Sequence, residues 1–197
     1  QEYTLYQKWL EIKIKYPTME MYSFLAGKPA LKNSSQSSSI YTTKNNIWNS
    51  TCEDDYLNIE PQLILTNAVD TSQATSQTGT WNTLRVFAHT QRYNSNIGRN
   101  LNYLVIDKNT GKYLGVICLS SDFLDLSIRD KYIGWDRERK TQQMIKHTTI
   151  GSSILPVQPF GYNYVGGKLL ALLCLSDEVQ QDWYNHYGNK LVGVTTT

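Results

Sequence analysis

Hydrophobic and polar positions alternate most cleanly between Asn102 and Ser120. There NYLVID, KNTG and KYLGVICLS place two strand-like runs around a glycine-containing turn, which predicts a β-hairpin. LRVFAHT, from Leu84 to Thr90, also alternates and predicts a strand. Ser153 to Gln158 predicts another, closed by Pro159, and Leu191 to Thr197 a last one. A shorter strand follows Pro61 within Leu57 to Leu65. Spacings of three and four mark Leu5, Trp9 and Ile12, so Tyr3 to Lys15 reads as a helix that Pro17 closes. Asp136 to His147 reads as a helix with Asp136 as its N-cap, and Val165 to Leu175 as another. Ser176 caps one more, with Asp177 and Glu178 in its first turn and Gly188 just past its end. Lys32 to Ser39 is a serine-rich loop, and Thr66 to Thr80 reads as a polar surface loop.

From Trp81 the order is strand, hairpin, helix, strand, two helices, strand. The closing β-α-β crossover requires a parallel pair in an otherwise antiparallel sheet. The expected fold is therefore α/β: a mixed sheet with flanking helices behind an irregular N-terminal extension. Residues 1–80 form the extension and 81–197 the core. The chain opens on Gln1 and closes inside a predicted strand, so both ends of the natural protein are expected to run further, with the core cut short at its C-terminus.

Composition narrows the class. With 197 residues, 40% hydrophobic and 18% charged, the chain can bury a real core and is not disordered. No apolar run approaches the roughly 18 residues of a membrane span, and no signal-peptide pattern opens the chain. Cys52, Cys118 and Cys174 have no metal-ligand spacing, and their odd number fits a reducing compartment. Cys118 and Cys174 lie in apolar runs and read as core thiols. Charge is unevenly spread. Between Lys44 and Arg85 there are five acidic residues and no basic one, whereas Arg85 to Lys168 holds twelve Lys and Arg against six Asp and Glu. A basic second half suits a polyanionic partner; an ordinary solvated surface would read the same way.

Candidate chemistry concentrates between Arg129 and Lys168. RDKYIGWDRERK crowds charges and aromatics around Gly134. Arg129 could grip a phosphate bidentately and Trp135 could stack on a base, with Asp130 and Arg137 beside them. The plainer reading is a structural ion pair and a core tryptophan. Downstream, a strand leads into a glycine-bearing helix start, an arrangement that offers backbone N–H groups to an anion. Gln158, Asn163, Gly166, Gly167 and Lys168 are the candidate cofactor loop; close packing of the glycines on the sheet is the alternative. His89 could be a general base or metal ligand, with Arg92 and Arg99 bringing cations to the same edge. His147 and His186 read as capping or surface residues at helix ends, and Thr195 to Thr197 could line a cleft. No Ser-His-Asp, CxxC, HExxH or Walker pattern is present.

In its order of elements from Leu101 to Thr197, the chain resembles the acyl-CoA-binding core of the GNAT acetyltransferases. Of that family's Q/R-x-x-G-x-G/A loop only Gly166 matches; Gly161 and Tyr164 stand at the other two marked positions. GKYLGVICLSSD, RDKYIGWD, ILPVQPFGYNYVGGKLLALL and KLVGVTTT are similar to a bacteriophage family related to DruA, a component of the Druantia anti-phage system. A more distant likeness is to Mom-type phage DNA-modification proteins. The resemblance covers the chain from about Trp81 onward. It implies a transferase that modifies nucleic acid, a DNA base above all, in the cytoplasm of a bacterial host. It also implies an acyl-CoA-like donor and, for a poorly nucleophilic base amine, iron held by His89 and Asp130. The alternatives are a catalytically inactive GNAT-like module that binds DNA or a phage protein, and a virion component.

Overall fold

The hairpin is the centre of the molecule. A computed structural model of the protein describes residues 2–15, 46–50, 52, 54–66, 74–89, 98–157, 160–161 and 166–196. In it β2 (Asn100–Asp107) and β3 (Lys112–Ser121) pair antiparallel, joined through a turn at Gly111, whose φ of 67° is left-handed. Buried Asp107 fastens this end, accepting the Glu60 N–H at 3.0 Å and the Thr110 hydroxyl at 2.6 Å. β1 (Pro61–Leu65) flanks β2, and β4 (Thr148–Pro156) flanks β3, both antiparallel. β5 (Gly193–Thr195) then runs parallel to β4, as the crossover requires. The result is a mixed α/β fold with one five-stranded, mostly antiparallel sheet in chain order.

Two layers of helix cover it, preceded along the chain by α1 (Glu2–Lys15) and α2 (Asp54–Leu57). On one side α3 (Ala74–Ala88) sets Trp81 and Leu84 against Leu104, Val116 and Cys118, and the Trp81 indole donates to the Ile117 carbonyl at 3.1 Å. The other side packs Leu101, Tyr103 and Ile117 under α6 (Gly166–Leu173) and α7 (Asp177–Tyr187), through Leu170, Cys174, Val179 and Trp183. Ser176 caps α7 by accepting the Val179 N–H, and Gly188 ends it in a left-handed conformation. Cys118 and Cys174 are buried thiols, and burial pushes Cys174 up to about 12. Segments ahead of Trp81 also feed the core: β1 lies in the sheet and Trp48 is buried beside Phe160. Among the described residues no helix is long and apolar enough to cross a membrane.

Several expectations need correction. The segment predicted as a strand from Leu84 runs instead as the last turns of α3, while Thr90 lies outside the described residues. Alternation at Leu84, Val86 and Ala88 coexists with burial of Trp81, Leu84 and Arg85 at helical spacing, and the helical period wins. Ala74 to Thr80, read as loop, opens the same helix. The helix predicted over Asp136 to His147 divides into α5 (Arg137–Thr141) and a 3-10 turn (Met144–His147). Gln143 between them has a φ of 87°, which no right-handed helix accommodates. Finally, β4 begins at Thr148, well before Ser153.

Candidate functional site

Where β3 ends, the chain turns outward through Asp122 to Leu126 into α4 (Ser127–Ile133). Gly134 closes this helix in a left-handed conformation with a φ of 77°. Asp136 then caps α5 by accepting the Arg139 N–H at 2.7 Å. Two short helices thus form a corner beside the sheet. Neither is long enough to be stable alone, so tertiary contacts must hold them.

Charges supply those contacts. Arg129 is almost fully buried, and its Nε and Nη2 donate to Asp130 Oδ1 at 3.0 and 2.7 Å. Its Nη1 lies 2.8 Å from Asp122 Oδ2, close enough to pair as charges although no N–H is aimed at that oxygen. Asp122 is sealed from solvent and also accepts from the Thr195 hydroxyl at 3.2 Å, which ties β5 to the corner. Lys140 of α5 reaches back between two carboxylates, 2.7 Å from Asp130 Oδ2 and 2.8 Å from Asp125 Oδ1. The Leu126 N–H completes the shell of Asp130 at 3.3 Å. The Trp135 ring covers the Arg129 guanidinium, 5.4 Å from its centre.

This arrangement fixes protonation. Chiefly through the Lys140 hydrogen bond, with further bonds from Arg129 and Leu126 working against burial, Asp130 is held down to about 2. Asp125 is lowered by the same lysine, and Lys140 is raised by its two carboxylate partners. Asp125, Asp130 and Lys140 therefore stay ionised together through the neutral range. Both oxygens of Asp130 already accept, so it is poorly placed as a base or as a metal ligand.

The outer side of the corner is different. Tyr132 is 92% exposed and Ile128 81%, and Lys131, Arg137 and Arg139 are exposed beside them. Asp136 lies 3.7 Å from Arg139 and is engaged as the cap, while Lys131 and Arg137 have no ion-pair partner among the described residues.

Of the residues singled out from sequence, Arg129, Asp130, Trp135 and Arg137 come together here. The first three face inward onto one another. Arg99 does not join them. Its guanidinium donates to the Lys146 carbonyl at 2.9 Å and to Asn189 at 2.6 Å, against the rings of Tyr187 and Trp183. His89 follows α3, and among the described residues no three His, Cys, Asp or Glu side chains gather as a metal site. At the start of α6, Gly166 is packed so closely that a Cβ would lie 2.7 Å from the Phe160 carbonyl oxygen, whereas a Cβ on Gly167 would meet nothing. Lys168 is exposed next to it; Arg92, Gln158 and Asn163 lie outside the described residues. The His147 ring lies 2.7 Å from the Lys190 carbonyl oxygen, and the His186 ring 2.9 Å from that of Asp182, one turn back in α7. Sequence reasoning missed Asp122, Asp125 and Lys140 as the partners of Arg129 and Asp130. Lys131 was not among the residues it named, although Ile128 and Tyr132 stand one helical turn apart beside it.

Comparison with known proteins adds a family. The model described as Druantia protein DruA matches residues 20–197, extending well upstream of Trp81. Over 115 residues the chain is 30% identical to the Druantia protein DruA of Escherichia coli (strain UMEA 4076-1), covering 52% of this chain and 28% of that protein. The chain thus spans less than a third of that relative's length. No solved structure matches.

Proposed function

This chain belongs to the DruA family, and from that premise we propose that it acts in defence against phage by holding nucleic acid on the outer side of the α4–α5 corner. One observation carries the reading: Asp122 and Asp130 are engaged inward and the exposed Asp125 is taken up by Lys140, while Lys131, Tyr132 and Arg137 face solvent. Cations beside an exposed aromatic suit phosphate and base together. Arg129 and Asp130 are then positioning residues that hold the corner rigid. Fluorescence anisotropy with labelled oligonucleotides tests this. The Lys131→Ala, Arg137→Ala double variant should bind about tenfold more weakly, with a salt dependence shallower by about two phosphate contacts. Unchanged affinity and slope in the variant would overturn the reading.

A second reading is group transfer to a DNA base from an acyl-CoA-like donor, as in GNAT-like and Mom-like proteins. It is favoured by the parallel β4–β5 pair joined through α6 and α7, with the open Gly167 and exposed Lys168 at the start of α6. Those residues would hold an anionic donor group, and Arg129 and Asp130 would orient the neighbouring corner. The engaged oxygens of Asp130 do not suit iron. Mass spectrometry of nucleosides from DNA of cells expressing the protein should reveal a modified base; an unmodified profile removes this reading and leaves the first intact.

A further inference from the structure

We propose that the corner takes its nucleic acid as a single strand, with Tyr132 as a platform on which an unpaired base stacks. The inference rests on the nucleic-acid reading above and names the form of ligand that reading leaves open. Within α4 the residues divide by helical angle. Arg129 and Asp130 point inward to the ion network, while Ile128 and Tyr132 lie one above the other on the opposite side. Lys131 borders that side, and Ile133, 46% exposed, ends the helix. This outer side is therefore an aromatic ring and an aliphatic side chain in line, with a cation at its margin.

Duplex nucleic acid has little to offer such a surface. Its base faces are covered by their neighbours, so a protein meets phosphates, sugars and groove edges. Against that backbone Ile128 and Tyr132 would lose water with no apolar partner. A single strand exposes base faces, and an aromatic ring stacks on any of them whatever the sequence. The exposed Lys131 and Arg137 would then take the flanking phosphates. The inward network keeps the platform in place: Asp130 is bonded from Arg129, Lys140 and the Leu126 N–H at once, so α4 is held from its buried side while its outer side stays clear.

The test uses the full chain and three probes of equal length: oligo-dT, a mixed-sequence single strand and a duplex. Anisotropy at one fixed salt concentration should show both single strands bound about tenfold more tightly than the duplex. Tyr132→Ala should remove that preference, weakening the single strands about tenfold and leaving the duplex unchanged; Tyr132→Trp should restore it. Tyr132 is exposed, so neither variant disturbs the core. Equal or tighter duplex binding by the wild type, or equal weakening of all probes in Tyr132→Ala, overturns the single-strand inference while nucleic-acid binding stands. Absence of binding to every probe overturns both. So does a dimer in sedimentation velocity that Tyr132→Ala dissolves, because the outer side is then an interface between copies of this chain.

Discussion

The α4–α5 corner and the α6–α7 layer are both pairs of helices set beside one sheet, yet opposite forces hold them. The buried side chains of α6 and α7 are apolar: Leu170, Val179 and Trp183, with Cys174 between the helices. In α4 and α5 the buried side chains are Arg129, Asp130 and Lys140. Apolar burial is non-directional and tolerant of small shifts, whereas a buried charge depends on particular partners and is costly without them. A helix pair fastened by charge underneath can leave its aliphatic and aromatic residues to the outside, which is the reverse of an ordinary amphipathic helix.

The sharpest way to break the comparison is one deletion on each side. Arg129→Ala leaves Asp122 buried without its cation and Asp130 with Lys140 alone, and should cost about 3–5 kcal/mol. Leu170→Ala should cost a similar amount, about 2–5 kcal/mol, through a cavity. Hydrogen exchange separates them. The arginine variant should lose protection over α4 and α5 and keep it in β2 and β3, while the leucine variant should lower protection across the sheet. Uniform loss in both variants would show that the corner is part of the global core. A smaller effect contrasts two neighbours. Gly166→Val forces side-chain atoms against the Phe160 carbonyl and should destabilise by about 1–3 kcal/mol, whereas Gly167→Ala should be neutral or stabilising by about 0.5–1 kcal/mol. Urea denaturation of both variants checks this, and equal midpoints would contradict the packing described.

Acid gives the mildest test. Asp130 has its folded value depressed to about 2, so its contribution is full above the ordinary aspartate range near 3.8 and is lost only as pH falls toward 2. Lys140 is raised, so its contribution is present below its ordinary value of 10.5 and is lost as pH rises through the higher folded value. Exchange protection in α4 should therefore persist at about pH 3. Opening of α4 already at the ordinary aspartate value would mean that Lys140 does not hold this carboxylate.

What the sequence could and could not convey follows the same division. The hairpin, the capped helix from Asp177 to Tyr187 and the parallel β4–β5 pair were legible, because turn chemistry, caps and crossover topology are local or combinatorial rules. Leu84 to Ala88 was misread as a strand, since two periods fit a short apolar run. Arg129 and Asp130 had two readings, a ligand grip or a structural ion pair, and the structure shows the pair. Whether an arginine faces a ligand or an aspartate depends on Asp122 and Lys140 arriving from other turns of the chain, and no spacing rule conveys that. Gly166 was half legible: a paired glycine announces close approach, but not that Phe160 is what approaches.

The ion network has one more property. Apart from Thr195, every partner lies on the continuous stretch from Asp122 to Lys140. Such a unit closes upon itself, like a buckle sewn onto a strap. Its outer residues can be exchanged for others while the strands on either side remain as they are.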